Sequence, residues 1–335
     1  MGVSLISIIL PTYNSAKTLE KTIQSVMSQS YLDWELIVVD DCSSDNTPEV
    51  LSRFASADSR IKFLRLDKNG GCYVARNEAL KIASGEYVAF IDADDLYEPN
   101  YLQKLTETAN RFNADVVWCN HKEQFVDAEG AVCKEITHNH KLKSNELLES
   151  KELLLKYFRM DSGSGALWNK LYKKEFLDSH QICFDEKRRR SGDWVFNIEV
   201  FRQKPKVVAI EDCLYSYIRS NTNSVVASFH EEDFENYKRS LNLLKNLNQE
   251  FDLNADIQGV YTDFLYNVIS HLYRLVRSAN TQKKKIIDRI VEDSVVRNVL
   301  MANSYNIREL TLRYKVYLFL IRYKLTLLLY LLLKI

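Results

Sequence analysis

The chain has 335 residues and carries 45 basic against 45 acidic side chains, a formal net charge of +0. That length can bury a full core and points to one large domain with an appendage, and the balanced charge argues against a general nucleic-acid binder. With only 9 glycines and 4 prolines the composition is that of a globular protein rather than a disordered one.

The first apolar run, Leu5 to Leu10, predicts a buried strand closed by Pro11. Leu19, Ile23, Val26 and Met27 fall at helical spacing and predict a helix within Ala16 to Ser30. Trp34 to Val39 predicts a second strand ending in Asp40-Asp41, and Ser43-Ser44-Asp45 offers caps for a helix through Ala55. Ile61 to Leu66 predicts a third strand, after which Gly70-Gly71 turns into a helix over Tyr73 to Ala83. Strand and helix alternate at short spacing, which predicts an α/β fold with a doubly wound, mostly parallel sheet. Each of the first two strands ends in polar residues, Thr12 and Asn14, then Asp40 and Asp41, and one carboxyl-end crevice would gather them. Neither GxGxxG after the first strand nor GxxxxGK with a following Ser or Thr occurs, so bound phosphates need another holder.

The fourth strand offers one. Tyr87 to Ile91, bounded by Gly85, empties directly into Asp92, Asp94 and Asp95. Carboxylates so close cannot all stay ionised without a compensating cation. Mg²⁺ uses one or two protein carboxylates together with substrate phosphates, so Asp92-Ala93-Asp94 suits a metal-bound diphosphate. A plain polar loop after a strand reads the same, and the surrounding motifs must decide.

The second half changes character. Glu98 to Asn113 predicts a helix, Asp115 to Cys119 a strand, and Asp127 to Gly130 a turn between two strand-like runs. Asn145 to Phe158 predicts a helix, Asp161 to Gly165 a flexible loop, and Trp194 to Phe201 another helix. Val207 to Ile210 and Leu214 to Ile218 predict two strands, and from Glu231 the pattern is helical. Leu310 to Ile335 contains no acidic residue, while Arg313, Lys315, Arg322, Lys324 and Lys334 are basic and Leu327 to Leu333 is almost purely apolar. Basic charge beside exposed leucine suits an anionic lipid surface, although these basic residues do not share one helical face, and a helix packed on the domain or a partner is the alternative. Cys42, Cys72, Cys119, Cys133, Cys183 and Cys213 are scattered, with no CxxC, and fit thiols of a reducing compartment. Met1 to Leu10 lacks the basic start of a secretory signal, and no run reaches the ~18 apolar residues of a spanning helix. A cytoplasmic protein, associated with the inner face of the membrane, is the expectation.

Ile8 to Asn14, Val38 to Asp41 with Ser43-Ser44-Asp45, Ala75-Arg76-Asn77 and Asp92 to Asp95 together form a set that resembles the family 2 glycosyltransferases. The match spans about Ser4 to Tyr101 and continues more loosely through Trp168 to Tyr172, Gly192-Asp193 and Tyr217 to Arg219, resembling bacterial enzymes of capsule, exopolysaccharide and lipopolysaccharide synthesis. The resemblance implies the GT-A fold and inverting transfer from a nucleotide-sugar donor, by preference a UDP-sugar, to a glycan or lipid-linked saccharide. It also implies residues 1–228 as the catalytic domain, 1–105 holding the donor and 106–228 the acceptor; beyond about Ser228 it implies nothing specific, and the pattern alone gives a helical region over 229–335 with its basic, leucine-rich tail.

Carried over by position, the resemblance puts Pro11, Thr12, Tyr13 and Asn14 at the nucleotide, with Tyr13 offering a flat face to the base. Asp41 would accept the uracil imide N–H, Asp92 would touch ribose or metal, and Asp94 would bind Mn²⁺ or Mg²⁺. Arg76 would lie near the phosphates or hold the Asp92 loop, or form an internal ion pair with an aspartate. The family's acidic pair reads Gly192-Asp193 here, leaving Asp193 as the candidate catalytic base, with helix capping as its other use. Asp95, Trp168, Lys170 and Arg219 are candidates for the acceptor or the diphosphate, and Trp168 fits a buried ring equally well. Two rivals stay open: a sugar-1-phosphate nucleotidyltransferase, whose usual glycine- and arginine-rich opening loop is missing here, and a non-catalytic binding protein acting through its helical tail.

Overall fold

The computed structural model describes residues 4–127, 129–157, 165–220, 229–302, 305 and 310–334. The chain divides into two units, Met1–Asn221 and Thr222–Ile335. In the first unit the expected alternation is present: β1 (Ile6–Thr12), α1 (Leu19–Met27), β2 (Trp34–Asp40), α2 (Thr47–Ala57), β3 (Ile61–Arg65), α3 (Cys72–Ile82) and β4 (Tyr87–Phe90). All seven residues of β2 are buried, as a strand covered on both faces requires. Helix α1 buries Leu19, Thr22, Ile23 and Val26, the i, i+3, i+4, i+7 stripe of an amphipathic helix. At Gly85 a Cβ would lie 2.5 Å from the Ser7 amide nitrogen, so only glycine lets the chain enter β4 this close to β1.

Then follow β5 (Leu96–Tyr97), α4 (Tyr101–Phe112), β6 (Val116–Val126), β7 (Val132–His138), β8 (Leu147–Leu148), α5 (Ser150–Tyr157), β9 (Lys170–Lys173), α6 (Lys174–Ser179), α7 (Gly192–Arg202) and β10 (Val207–Ser220). One sheet runs β3-β2-β1-β4-β9-β6-β10-β5, with β7 on β6 and β8 on β10. Pairs among β1 to β4 are parallel, whereas β9 is antiparallel to both β4 and β6. The two strands expected over 207–218 are one, irregular between Ala209 and Tyr215, where the Asn120 side-chain amide donates to the Glu211 carbonyl at 2.8 Å. The helix expected from Asn145 starts only at Ser150, because Leu147 and Leu148 pair with Val208 and Val207 instead. The expected loop over 161–164 lies outside the described residues.

The second unit contains α8 (Asp233–Glu250), α9 (Ile257–Arg277), α10 (Lys283–Glu292), α11 (Ser294–Met301), α12 (Leu312–Arg322) and α13 (Thr326–Leu333). Its core is apolar side chains of α8, α9 and α10, among them Leu241, Phe264, Leu272 and Ile290, all under one-tenth exposed. Asp256 and Asp293 cap α9 and α11, accepting backbone N–H bonds from Gly259 and Val295. No helix among the described residues is long and apolar enough to cross a membrane.

Candidate active site

Strands β1, β2 and β4 run parallel, so their carboxyl ends share one edge. The strand order turns at β1, with β2 and β3 on one side and β4 on the other, which makes the β1/β4 edge the switch-point crevice of an open α/β sheet. At the end of β1 Thr12 is buried, while Tyr13 is 50 % exposed. Asn14 ties loops together: its amide donates to Ser43 Oγ at 2.8 Å and its Oδ1 accepts the Ser44 N–H at 2.8 Å. Asp40 is fully buried and holds the Ser43 hydroxyl and amide. Asp41 accepts the N–H groups of Gly70 at 2.6 Å and Gly71 at 2.7 Å, which draws the head of α3 onto the end of β2. Each of its oxygens keeps a second lone pair, so a base N–H can still be accepted.

Helix α3 brings Arg76 into the crevice wall, 3 % exposed. One guanidinium nitrogen donates to Asp92 Oδ1 at 2.7 Å and another to Asp193 Oδ1 at 2.6 Å. Buried among these charges, the guanidinium stays protonated, its pKa raised by Asp193 and Asp92 against the cost of burial. The fork of Arg76 thus joins the end of β4 to the first turn of α7, a span of 117 residues in sequence.

The three carboxylates after β4 separate by environment. Asp92 is covered by Arg76. Asp94 faces solvent and has no ion-pair partner among the described residues; the crevice walls desolvate its carboxylate, and with the Asp92 charge beside it the pKa rises to about 6. Asp95 is fully buried, accepting the Tyr215 hydroxyl at 2.7 Å and the Ile218 N–H at 2.8 Å, and burial lifts its pKa well above the carboxylate range. Asp95 therefore binds β10 to the end of β4 and does not face a substrate. Among the described residues no group of three His, Cys, Asp or Glu side chains could enclose a metal. Asp94, which has no cationic partner among the described residues, and the Asp92 oxygen that Arg76 does not engage are hard donors that fit Mg²⁺ or Mn²⁺ sharing its shell with donor phosphates and water.

Asp193 occupies the first turn of α7, and Ser191, not Asp193, is the N-cap. Its carboxylate is about one-third exposed, Oδ1 is taken by Arg76, and Oδ2 has no partner among the described residues. Burial raises its pKa, with the Arg76 charge opposing. The departure from the family's acidic pair has a steric cause. A Cβ at residue 192 would meet Tyr73 ring carbons at 2.3, 2.5 and 2.7 Å, and the Gly192 amide donates to the Tyr73 hydroxyl at 2.8 Å. Tyr73 also stacks on Phe184, at 5.7 Å between centroids. Tyr73 thus fills the space of the absent acid and fixes the helix start that carries Asp193.

The remaining candidates lie off the crevice floor. Lys170 is fully buried, donating to the Ala166 carbonyl at 2.6 Å and Asn169 Oδ1 at 2.9 Å, with its ammonium over the Trp118 ring; it braces the core rather than reaching a diphosphate. Trp168 is the buried ring of the two alternatives, stacked on Tyr215 at 4.3 Å and on Tyr217 at 5.9 Å. Arg219 is half-exposed and pairs with Glu123 at 2.6 Å. Tyr73 and Tyr215 were not singled out from the sequence, and Tyr217 entered only as part of the Tyr217–Arg219 stretch of the resemblance, with no role. Tyr73 lies one helical turn from Arg76, and Tyr215 and Tyr217 alternate along β10, so their faces were readable once Arg76 and the strand were placed.

The family model described as Glycosyl transferase family 2 matches residues 7–166. The uncharacterized glycosyltransferase EpsJ of Bacillus subtilis is 33% identical over 223 residues, 67% of this chain and 63% of EpsJ. The UDP-Glc:alpha-D-GlcNAc-diphosphoundecaprenol beta-1,3-glucosyltransferase WfgD of Escherichia coli is 38% identical over 143 residues, 42% of this chain and 56% of WfgD. The chain thus spans less than two thirds of the length of these relatives. The crystal structure of Staphylococcus aureus TarS 1-349 with UDP-GlcNAc covers 98% of this chain and 90% of that one, with a TM-score of 0.64 at 19% identity. That likeness fixes the fold as GT-A.

Proposed function

We propose that this chain, whose residues 7–166 belong to glycosyl transferase family 2, moves a sugar with inversion from a UDP-sugar to a hydroxyl of a glycan or lipid-linked saccharide in bacterial surface polysaccharide synthesis. The observation that carries the reading is the Arg76 fork, which places the carboxylate of Asp193 and the Asp92–Asp94 pair around one crevice. The relatives support the substrate class: WfgD uses UDP-Glc and a diphosphoundecaprenol-linked acceptor, and TarS holds UDP-GlcNAc. A membrane-linked acceptor puts the chain at the inner face of the cytoplasmic membrane.

In this reading the nucleoside lies along the ends of β1 and β2, with Tyr13 against the base and Asp41 accepting an imide N–H. Asp92 and Asp94 would hold Mn²⁺ or Mg²⁺, which when bound would supply positive charge to the diphosphate. The acceptor oxygen attacks the anomeric carbon as the bond from that carbon to the diphosphate oxygen breaks. The acceptor's proton passes to Asp193 Oδ2, the oxygen Arg76 leaves open. A raised pKa makes Asp193 a better base than an ordinary aspartate. Half-buried Tyr217, one strand position pair beyond Tyr215, presents an aromatic face to the acceptor.

The test is thermal unfolding of the purified chain with UDP, GDP, TDP or CMP, each with and without Mn²⁺. Saturation at 100-fold over Kd stabilises by about 2.7 kcal/mol. Stabilisation by UDP that requires Mn²⁺, and is lost in Asp94→Asn, is expected. No response to any nucleotide would refute the donor site, and transfer undiminished in Asp94→Asn would remove the metal role.

A further inference from the structure

We infer that one face of the helical unit, formed by α12, α13 and the head of α10, docks on the surface of an anionic phospholipid bilayer. This rests on the placement at the inner membrane face proposed above and assigns it to named residues. On α12, Leu312, Val316, Phe319 and Tyr323 are 78, 40, 55 and 60 % exposed. They sit at i, i+4, i+7 and i+11, one continuous stripe of the helix, while Tyr317, Leu318 and Ile321 pack inward. On α13, Leu327, Leu328 and Leu331 are 63, 51 and 49 % exposed, opposite the buried Leu329 and Leu333. An apolar surface of this extent on a water-facing helix pair marks an interaction site.

The charge that selects the occupant comes mainly from another helix. The tail's own basic groups are partly engaged: Arg313 with the Tyr317 hydroxyl at 2.7 Å, Lys324 with Glu292 at 3.6 Å, and Lys334 over the Tyr330 ring. Helix α10 opens with Lys283, Lys284 and Lys285 and has no acid in its first turn. Lys283 donates to the Val276 carbonyl at 2.7 Å, whereas Lys284 and Lys285 make no ion pair among the described residues. Lys283 and Lys284 line a cavity of about 400 Å³ with Thr326, Leu327 and Tyr330, so the lysines open directly onto the leucine face. Asp288 is the acid that shares the adjoining shallow pocket with Lys284 and Lys285. Leucine, phenylalanine and tyrosine beside unpaired ammonium groups match the acyl boundary and phosphates of anionic lipid. A second copy of the chain meeting this face about a two-fold axis would oppose lysine clusters of like sign, which disfavours self-association there.

The experiment is co-sedimentation of the full chain with vesicles of phosphatidylglycerol and phosphatidylcholine in equal parts, against phosphatidylcholine alone. Binding to the anionic vesicles only is expected. Lys284→Gln with Lys285→Gln should weaken it about thirtyfold, the effect of two lysines at an anionic surface, and ~1 M salt should do the same by screening. Phe319→Ser with Leu327→Ser should weaken it at least tenfold. These side chains are exposed, and unchanged urea midpoints verify the fold. Equal binding to both vesicle types, no binding, or binding unchanged in both variants overturns the inference. So does a dimer in light scattering that Phe319→Ser with Leu327→Ser splits, which gives the face to a second copy. The nucleotide response of the same preparations is scored separately: lost vesicle binding with an intact UDP response sinks this surface alone, and the converse sinks the donor site alone.

Discussion

Gly192→Ala should destabilise the first unit by about 2–4 kcal/mol, although the position opens a helix and alanine is the better helix former. The added Cβ would stand 2.3 Å from Tyr73 Cζ and 2.5 and 2.7 Å from its neighbours, where carbon atoms pack at ~3.5–4.0 Å. Relief requires the ring to move by about 1 Å, which abandons the hydrogen bond from the Gly192 amide and the stack on Phe184. Overpacking costs about 1–3 kcal/mol and the lost hydrogen bond about 1. The test is a double-mutant cycle with Tyr73→Ala, in which the single Tyr73→Ala change leaves a cavity but removes the obstacle. All four tryptophans, at positions 34, 118, 168 and 194, lie in the first unit, so urea unfolding followed by their fluorescence reports that unit. Gly192→Ala should then be nearly neutral in the Tyr73→Ala background. Equal cost in both backgrounds, within about 0.5 kcal/mol, would refute the steric account of the missing acid.

Three further outcomes follow from the site and its supports. Arg76→Lys keeps the charge but cannot hold Asp92 and Asp193 from two fixed nitrogens, so turnover should fall about 100-fold while the Mn²⁺-dependent UDP stabilisation survives; steady-state rates beside thermal unfolding check both halves. At saturating Mn²⁺, where Asp94 is ligated, turnover should fall as pH drops through the raised pKa of Asp193, with an acid limb above the ~3.9 of an ordinary aspartate, and Asp193→Asn should abolish transfer at every pH. Burial pushes Glu35 up, but hydrogen bonds from Lys62, Ser7 and Ser84 outweigh it and hold its pKa at about 2, so its contribution to stability is present above ~4.5 and is lost as pH falls toward 2. Urea midpoints across that window should decline less steeply for Glu35→Gln than for the parent chain.

The first half of the fold was legible because its signals are local. Short buried strands and an i, i+4, i+7 stripe such as Leu19–Ile23–Val26 act over a few residues. Asp92 and Asp94 were legible as chemistry, since carboxylates packed at a strand end demand cations, whereas Arg76 came only with the family resemblance. Long-range pairings were not. Nothing near Leu147 says that it will meet Val208 and so delay α5, and nothing near Lys170 says that its ammonium will be shut over Trp118. Gly192 looked like a lost acid because the ring that occupies its space lies 119 residues earlier.

The run Asp92-Ala93-Asp94-Asp95 makes the same point in the smallest compass. Three identical side chains follow one strand, and apart from the roles the family resemblance lends them, their own chemistry gives no ground to separate them. Their surroundings do. Asp92 receives the Arg76 guanidinium, Asp94 receives no cation from the described residues, and Asp95 receives only a tyrosine hydroxyl and a backbone amide in a site closed to water. A carboxylate closed off with neutral donors is driven toward its protonated form, which suits a structural tie between β4 and β10 and does not suit phosphate chemistry. Tyr215 extends that tie, its hydroxyl donating to Asp95 while accepting the Asp92 amide at 3.3 Å. The end of β4 at Asp92 and the Tyr215–Tyr217 stretch of β10 are therefore set by one buried hydrogen-bond network, in which Asp95 holds Tyr215 and Tyr215 holds the Asp92 amide.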